Sequence, residues 1–304
     1  MKRLTLTAPA KINWTLEVLG KRPDGYHEVR TILQAINVYD TITLTTADEI
    51  SLSVRGATPG FRKHAQESPD RNLAYRAAAL LRERAAYDRG AEVRLHKNIP
   101  IATGLGGGSS DAASVLRGLR DLWALSLSAE ELSSIAAELG SDVPFFLRGG
   151  TALATGRGEL VEPLPDAPQR HLVLAWPKGR APAPDKTARM YAALRPEHYS
   201  DGAATDRLAG RLRTAEPVRD EDLYNIFEGV LTKVDPKSAE LFRRACELGV
   251  GRPHLCGSGP AVFVLVDVND AEKTREVWHA VASVYGSASL ATTLRAGEIA
   301  VRNA

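Results

Sequence analysis

The stretch of sequence that decides the fold class runs from residue 99 to residue 111 and reads IPIATGLGGGSSD. Its four glycines and two serines stand directly before a helical pattern that extends to about Leu122. Glycine lets the backbone approach a ligand closely and adopt positive φ, as we expect at Gly107. The amides of such a loop, together with the N-terminus of the helix that follows, form a cradle for phosphate groups.

The same stretch has a plainer interpretation, a flexible loop in which Ser109 or Ser110 caps the helix. Other phosphate-binding motifs do not fit. A Walker loop requires a lysine that is absent here, and a dinucleotide fingerprint requires a third glycine where Ser109 stands. From the loop alone, phosphate binding and simple helix capping therefore both stay open.

Composition limits the class of protein further. The 304 residues suffice for about two domains, and 44% hydrophobic with 25% charged residues is ordinary globular composition. The formal net charge of +2 indicates neither nucleic acid nor an anionic membrane as a partner. Two cysteines form neither a disulfide framework nor a zinc cluster, and there is no apolar run of about 18 residues. We expect a cytoplasmic protein, whose oligomeric state the sequence leaves open.

Strand and helix patterns alternate irregularly along the chain, which favours an α+β architecture of two domains over a doubly wound sheet. We expect an N-terminal domain over residues 1–162 and a C-terminal domain over residues 163–304, whose last strand returns to the first domain. Predicted strands cover residues 4–8, 12–18, 28–37, 40–46, 50–54, 91–96, 172–176, 261–266 and 290–295. Predicted helices cover residues 72–86 with Asp70 as cap, a segment opened by a capping box at Ser128, and residues 223–233, 236–248 and 271–285. Residues 195–222 are expected to form a loop or a loosely packed region.

Two ionisable residues are candidates for chemistry. Asp142 precedes Val143-Pro144, so it could be the cap of a helix with proline in its first turn, or a catalytic carboxylate. Lys11 is either an ordinary surface lysine or, because it lies in an apolar run, a lysine that needs a partner or a ligand. The pair Tyr26-His27 follows a turn at residues 23–25 and is typical of a hairpin exit.

Several segments resemble the GHMP kinases, small-molecule kinases that use ATP. The loop at residues 100–111 is similar to their phosphate loop, and its GLGGGSSDAA variant resembles the branch whose acceptor is a methylerythritol carrying a cytidine diphosphate. Residues 8–13, 20–28, 140–146, 149–152 and 156–159 resemble further motifs of that branch, and residues 255–263 resemble the C-terminal glycine motif of GHMP kinases. Thr103 and Pro260 depart from the usual pattern, where small or polar residues are found.

The resemblance implies a two-domain GHMP kinase fold with the active site in the cleft between the domains. It implies that Asp142 takes the proton of the acceptor hydroxyl and that Lys11 supports this carboxylate. It places the cytosine of the acceptor between Tyr26 and Tyr191, with His27 and Asn13 as further substrate contacts.

On the nucleotide side the resemblance implies ATP, with Mg²⁺ beside the phosphates and Ser110 as a candidate metal ligand. The implied reaction is phosphorylation of the 2-hydroxyl of the acceptor, a step of the non-mevalonate route to isoprenoid precursors. The implied ATP-binding residues are Pro100, Ile101, Ala102, Thr103, Gly104, Leu105, Gly106, Gly107, Gly108, Ser109 and Ser110, together with Asn72, Leu73 and Lys97.

Overall fold

Two β-sheets with helices packed against them make up the computed structural model, which describes residues 2–56, 68–179, 185–298 and 301–303. The strands are β1 (Arg3–Lys21), β2 (His27–Ala47), β3 (Ser51–Gly56), β4 (Gly90–Lys97), β5 (Thr151–Thr155), β6 (Leu160–Pro163), β7 (His171–Ala175), β8 (Tyr224–Asn225), β9 (His254–Leu255), β10 (Val262–Val266), β11 (Ala288–Thr292) and β12 (Val301–Asn303). In the first sheet they run in the order β12-β1-β2-β4-β3, with β5 paired to β2, β8 paired to β1 and β6 paired to β5. In the second sheet the order is β11-β7-β10-β9.

The described helices are α1 (Leu73–Arg84), α2 (Gly107–Leu122), α3 (Ala129–Leu139), α4 (Val143–Arg148), α5 (Lys186–Ala192), α6 (Ala203–Arg213), α7 (Leu231–Val234), α8 (Pro236–Glu247) and α9 (Ala271–Tyr285). This mixture of helices and strands agrees with the predicted α+β class. Within the described part of the chain, no helix has both the length and the apolar character needed to cross a membrane.

Strands β1 and β2 form a long hairpin in the middle of the first sheet. Sequence patterns predicted two shorter strands in each arm, whereas each arm is one strand. The pairing continues across irregularities between Pro9 and Ala10 and between Asn13 and Thr15. Such bulges keep the ladder intact while turning individual side chains. Lys11 and Asn13 lie between these two irregularities.

Helix α2 is held close to the first sheet, and this fixes the glycine-rich loop that precedes it. An added Cβ at Gly118 would lie 2.5 Å from Leu44 Cδ1, so glycine permits the close approach of helix and strand. Leu116, Leu119 and Leu122 of the helix are buried in the same cluster as Leu44. The capping box predicted at Ser128 is present at the start of α3.

Three predictions from the sequence were wrong. Residues 195–222 contain helix α6, whose buried face comprises Thr205, Leu208, Ala209 and Leu212 at helical spacing. Helix α1 is capped by Asn72, which accepts a hydrogen bond from the amide of Ala74 at 2.9 Å, and not by Asp70. Residues 223–233 form a short strand, a 3₁₀ turn and only the first part of helix α7.

Strand β12 pairs antiparallel with β1 through Leu4, Thr5 and Leu6. The C-terminal strand therefore joins the sheet that contains the N-terminus. The division of the chain into domains at residues 162 and 163 stays a prediction.

Candidate active site

The glycine-rich loop is seated between strand β1 and the segment that links β9 to β10. Leu105 accepts a hydrogen bond from the amide of Lys11 at 3.0 Å, and Thr103 accepts one from the amide of Ala261 at 3.1 Å. Gly104 has φ +90°, and a Cβ there would lie 1.8 Å from the carbonyl oxygen of Cys256. Only glycine fits at this crossing of two backbones.

Gly106, and not Gly107, is the left-handed residue at the start of helix α2. Gly106 has φ +72° and occupies the N-cap, whereas Gly107 and Gly108 are already helical. The expectation of positive φ at Gly107 was therefore wrong. The amides of the first helical turn have no acceptor within the helix, so they remain available to an anion.

Lys11 and Asp142 meet although they lie far apart in sequence. Their Nζ and Oδ2 atoms are 3.7 Å apart, and Lys11 also donates to Asn13 Oδ1 at 2.9 Å. Asn13 in turn donates to Thr31 Oγ1 at 2.8 Å. The lysine is 4% exposed and so is fixed by this network, while the Asp142 side chain is 36% exposed and open to a ligand.

Asp142 stands at the N-cap position of helix α4, but its side chain makes no capping hydrogen bond. The capping interpretation of this residue therefore has no support in its contacts. A carboxylate that is open to a ligand can accept a proton from a hydroxyl within reach, and a neighbouring ammonium group can stabilise the negative charge that develops on that oxygen.

Aromatic side chains form a second part of the site. The rings of His27 and Tyr191 stack with centroids 5.2 Å apart, and Tyr191 meets Phe227 edge to face at 4.9 Å. Tyr26 is 55% exposed, so part of its ring is accessible to a ligand. Burial, with a smaller contribution from Lys21, lowers the pKa of His27, so its imidazole is neutral at pH 7.

A cavity of about 720 Å³ brings these groups together. Of the predicted site residues, it is lined by Lys11, Asn13, Tyr26, His27, Gly104, Gly106, Ser109, Asp142 and Tyr191. The remaining predicted nucleotide residues do not line it: Asn72, Leu73, Lys97, Pro100, Ile101, Ala102, Thr103, Leu105, Gly107, Gly108 and Ser110. The glycine-rich loop, the Lys11–Asp142 pair and the aromatic rings thus line one cavity, which is large enough for a small-molecule ligand.

Lys97 is engaged within the protein. Its ammonium donates to Asp40 and, at 2.6 Å, to Asp111, and all three side chains are buried. Burial disfavours the charge on Lys97, but the attraction of both carboxylates outweighs it and raises its pKa. Burial also raises the pKa of Asp111 to about 8, an effect that Lys97 opposes and Asp40 reinforces. The ammonium of Lys97 is thus paired with two carboxylates of the protein, and its role as a nucleotide contact stays a prediction.

Several residues of the site were not assigned from the sequence. Arg157, Thr187 and Ser258 line the cavity, and the hydroxyls of Thr187 and Ser258 are 2.9 Å apart. Lys186 donates to the carbonyl of Ser258. The glycine motif at residues 255–263 and the GRGE segment at residues 156–159 were visible signals, but neither indicates which side chain faces the cavity.

Comparison with known proteins agrees with this geometry. Residues 72–150 match the N-terminal domain of GHMP kinases. A 4-diphosphocytidyl-2-C-methyl-D-erythritol kinase of Dehalococcoides mccartyi is 38% identical over 296 residues, which cover 96% of this chain and 98% of that protein. The same enzyme of Pelotomaculum thermopropionicum is 42% identical over 279 residues, with 90% and 92% covered.

Solved structures agree as well. A crystal structure of 4-(cytidine 5'-diphospho)-2C-methyl-D-erythritol kinase superposes with a TM-score of 0.73 at 33% identity, covering 95% of this chain and 98% of that one. Homoserine kinase from Cytophaga hutchinsonii, at 16% identity and a TM-score of 0.70, covers 97% and 96% and shares the fold. Fold and site thus define an ATP-dependent kinase of the GHMP class. Within that class, the chain belongs to the family of 4-diphosphocytidyl-2-C-methyl-D-erythritol kinases.

Proposed function

We propose that this chain transfers the γ-phosphoryl group of ATP to the 2-hydroxyl of 4-diphosphocytidyl-2-C-methyl-D-erythritol, giving the 2-phosphate and ADP. The observation that carries the proposal is that one cavity holds both the Lys11–Asp142 pair and the aromatic group of Tyr26, His27 and Tyr191. A phosphate loop and an ion pair serve any alcohol kinase. The aromatic group supports an acceptor that carries a base.

In this proposal Asp142 accepts the proton of the acceptor hydroxyl as the oxygen attacks the γ-phosphorus. Lys11, which contacts Asp142, stabilises the negative charge that develops on the attacking oxygen. Asn13 keeps the ammonium in place through its 2.9 Å bond. The amides at the start of α2 receive the phosphates of ATP, and positioning supplies most of the rate enhancement.

We extend the proposal to Mg²⁺ bound beside the phosphates. Ser110 Oγ is buried in the first turn of α2 and has no hydrogen-bond partner among the described residues, which fits a metal ligand. No group of three or more His, Cys, Asp or Glu residues in the described ranges could hold a metal. Mg²⁺ in kinases usually keeps only one or two protein ligands beside phosphate oxygens and water. When bound, the ion would neutralise charge on the β- and γ-phosphate oxygens.

The proposal includes two domains, residues 1–162 and 163–304, with the active site between them. In support, the cavity is lined both by β1, β2 and the glycine loop and by Thr187, Tyr191 and Ser258 from the later part of the chain. We also propose a cytoplasmic location, because Cys246 and Cys256 are both free thiols, as a reducing compartment would keep them.

The test is a panel of acceptors incubated with the purified protein, ATP and Mg²⁺, with ADP release as the readout. We expect turnover with 4-diphosphocytidyl-2-C-methyl-D-erythritol, none with methylerythritol phosphate, which lacks the base, and competition by CDP. Efficient phosphorylation of mevalonate or homoserine without competition by CDP would overturn the acceptor and leave the kinase class intact.

A further inference from the structure

An arginine covers one face of the exposed tyrosine in the acceptor cavity. The guanidinium carbon of Arg157 lies 4.9 Å from the centroid of the Tyr26 ring, within the range of a cation–π interaction. Both residues line the cavity. The ring would otherwise have little to hold it, because more than half of its surface is exposed.

The guanidinium is itself held by a carboxylate. Glu159 accepts a hydrogen bond from Arg157 Nε at 3.3 Å and another from the Arg157 amide at 2.6 Å. The Glu159 side chain is only 16% exposed, so this anchor is more rigid than a surface ion pair.

The segment that carries Arg157 is also fixed to the hairpin that carries Tyr26. Gly156 donates its amide hydrogen to Glu28 Oε1 at 3.1 Å, and its carbonyl accepts from the amide of Val29 at 2.7 Å. The turn before Tyr26 is closed by a bond from the Arg22 amide to the Tyr26 carbonyl at 2.8 Å. Arginine and tyrosine therefore keep their relative position through two fixed backbones.

We propose that Arg157 is a positioning residue for the acceptor: it holds the Tyr26 ring in the orientation that receives the base, and leaves the opposite face of the ring for stacking. This inference rests on the proposed function. Because rotational freedom of the ring is lost before binding, the base meets a preorganised surface. Arg157 acts through Tyr26 and not on the phosphates of the acceptor.

A double-mutant cycle tests the inference. Arg157→Gln would be measured in the wild-type protein and in the Tyr26→Phe and Tyr26→Leu variants, with cytidine and with CDP as ligands in equilibrium competition against the acceptor. We expect Arg157→Gln to weaken both ligands about two- to fivefold in the first two backgrounds, the range of an exposed cation–π pair. In the Tyr26→Leu protein, which lacks the ring, we expect no further loss. In each background, adding Arg157→Gln should leave kcat at saturating acceptor and the affinity for ATP unchanged.

Three results would overturn the inference. A loss for CDP but not for cytidine would mean that Arg157 binds the diphosphate directly. An equal loss in the Tyr26→Leu protein would mean that Arg157 acts independently of the ring, and no loss in any background would mean that the guanidinium has no role in binding. If the wild-type protein bound neither cytidine nor CDP while phosphorylating another alcohol, the acceptor assignment itself would fail, and the role of Arg157 with it.

Discussion

Replacing Gly106 by alanine tests the loop geometry most sharply. Gly106 has φ +72°, a conformation that costs an L-residue roughly 1–2 kcal/mol. The chain does tolerate such strain elsewhere, as at Ala102 with φ +54°. Steric overlap decides the outcome at Gly106, because the new Cβ would lie 2.8 Å from Phe146 Cζ and 3.0 Å from Lys11 Cγ.

The overlap with Phe146 is the closer of the two, so the buried Phe146 ring or the loop has to move, and the Lys11 stem at 3.0 Å has to give way as well. A shift of a few tenths of an ångström carries the ammonium away from Asp142 and Asn13. Since a misplacement of about 1 Å can reduce a rate about a hundredfold, we expect kcat to fall about tenfold. We also expect the free energy of unfolding to fall by roughly 1–2 kcal/mol, because alanine is strained at the left-handed φ of this position.

Gly108→Ala is the matched control, since it adds the same methyl group two residues later. Gly108 is helical, and its Cβ would meet Leu73 Cδ1 at an ordinary 3.7 Å. Alanine is favoured over glycine within a helix by about 1 kcal/mol, so the thermal midpoint should hold or rise. The assays are thermal unfolding and steady-state ADP release at saturating ATP and acceptor. Wild-type kcat and stability in the Gly106→Ala protein would refute the account of this turn.

Two further perturbations probe the acceptor face and the buried ion cluster. Tyr26→Ala removes a stacking face worth about 1–3 kcal/mol, so acceptor affinity should fall roughly five- to 150-fold while ATP affinity in calorimetry stays the same; equal losses for both ligands would contradict this. Asp111, with its pKa raised to about 8, binds a proton in the folded state that it lacks when unfolded, so its contribution to stability declines as pH rises from about 4 to 8. Asp111→Asn should therefore flatten the pH dependence of urea unfolding across that window, and a stability difference from wild type that is constant with pH would argue against it.

Local patterns predicted the elements that local chemistry determines. The glycine-rich loop before α2, the capping box at Ser128 and most strands follow from glycine content, hydrogen-bonding side chains and alternation of apolar residues. Helix α6 escaped prediction although its buried face has helical spacing, because that face includes the polar Thr205, which is buried and donates to Thr15 Oγ1 at 2.9 Å. A buried polar residue whose hydrogen bond is made by a distant segment cannot be distinguished in the sequence from a polar residue that faces water.

Local patterns did not predict the contacts between distant segments. The proximity of Lys11 and Asp142 was expected only from the family resemblance, and nothing in the sequence indicated that Lys97 lies between Asp40 and Asp111. The left-handed residue of the loop is Gly106 and not, as predicted, Gly107, because the backbone conformation within a run of glycines depends on what surrounds it. The contact of Arg157 with Tyr26 depends on the hydrogen bonds that join the GRGE segment to Glu28 and Val29 of the hairpin, which are distant in sequence.

The central claim is that Asp142 takes the acceptor proton beside Lys11, and Asp142→Asn tests it most directly. Because the carboxylate caps no helix, asparagine should leave the fold and ATP binding intact. In a single-turnover experiment with γ-labelled ATP and 4-diphosphocytidyl-2-C-methyl-D-erythritol, we expect phosphoryl transfer to slow by about 10²- to 10⁴-fold, with ATP affinity unchanged. Transfer at close to the wild-type rate would contradict the account.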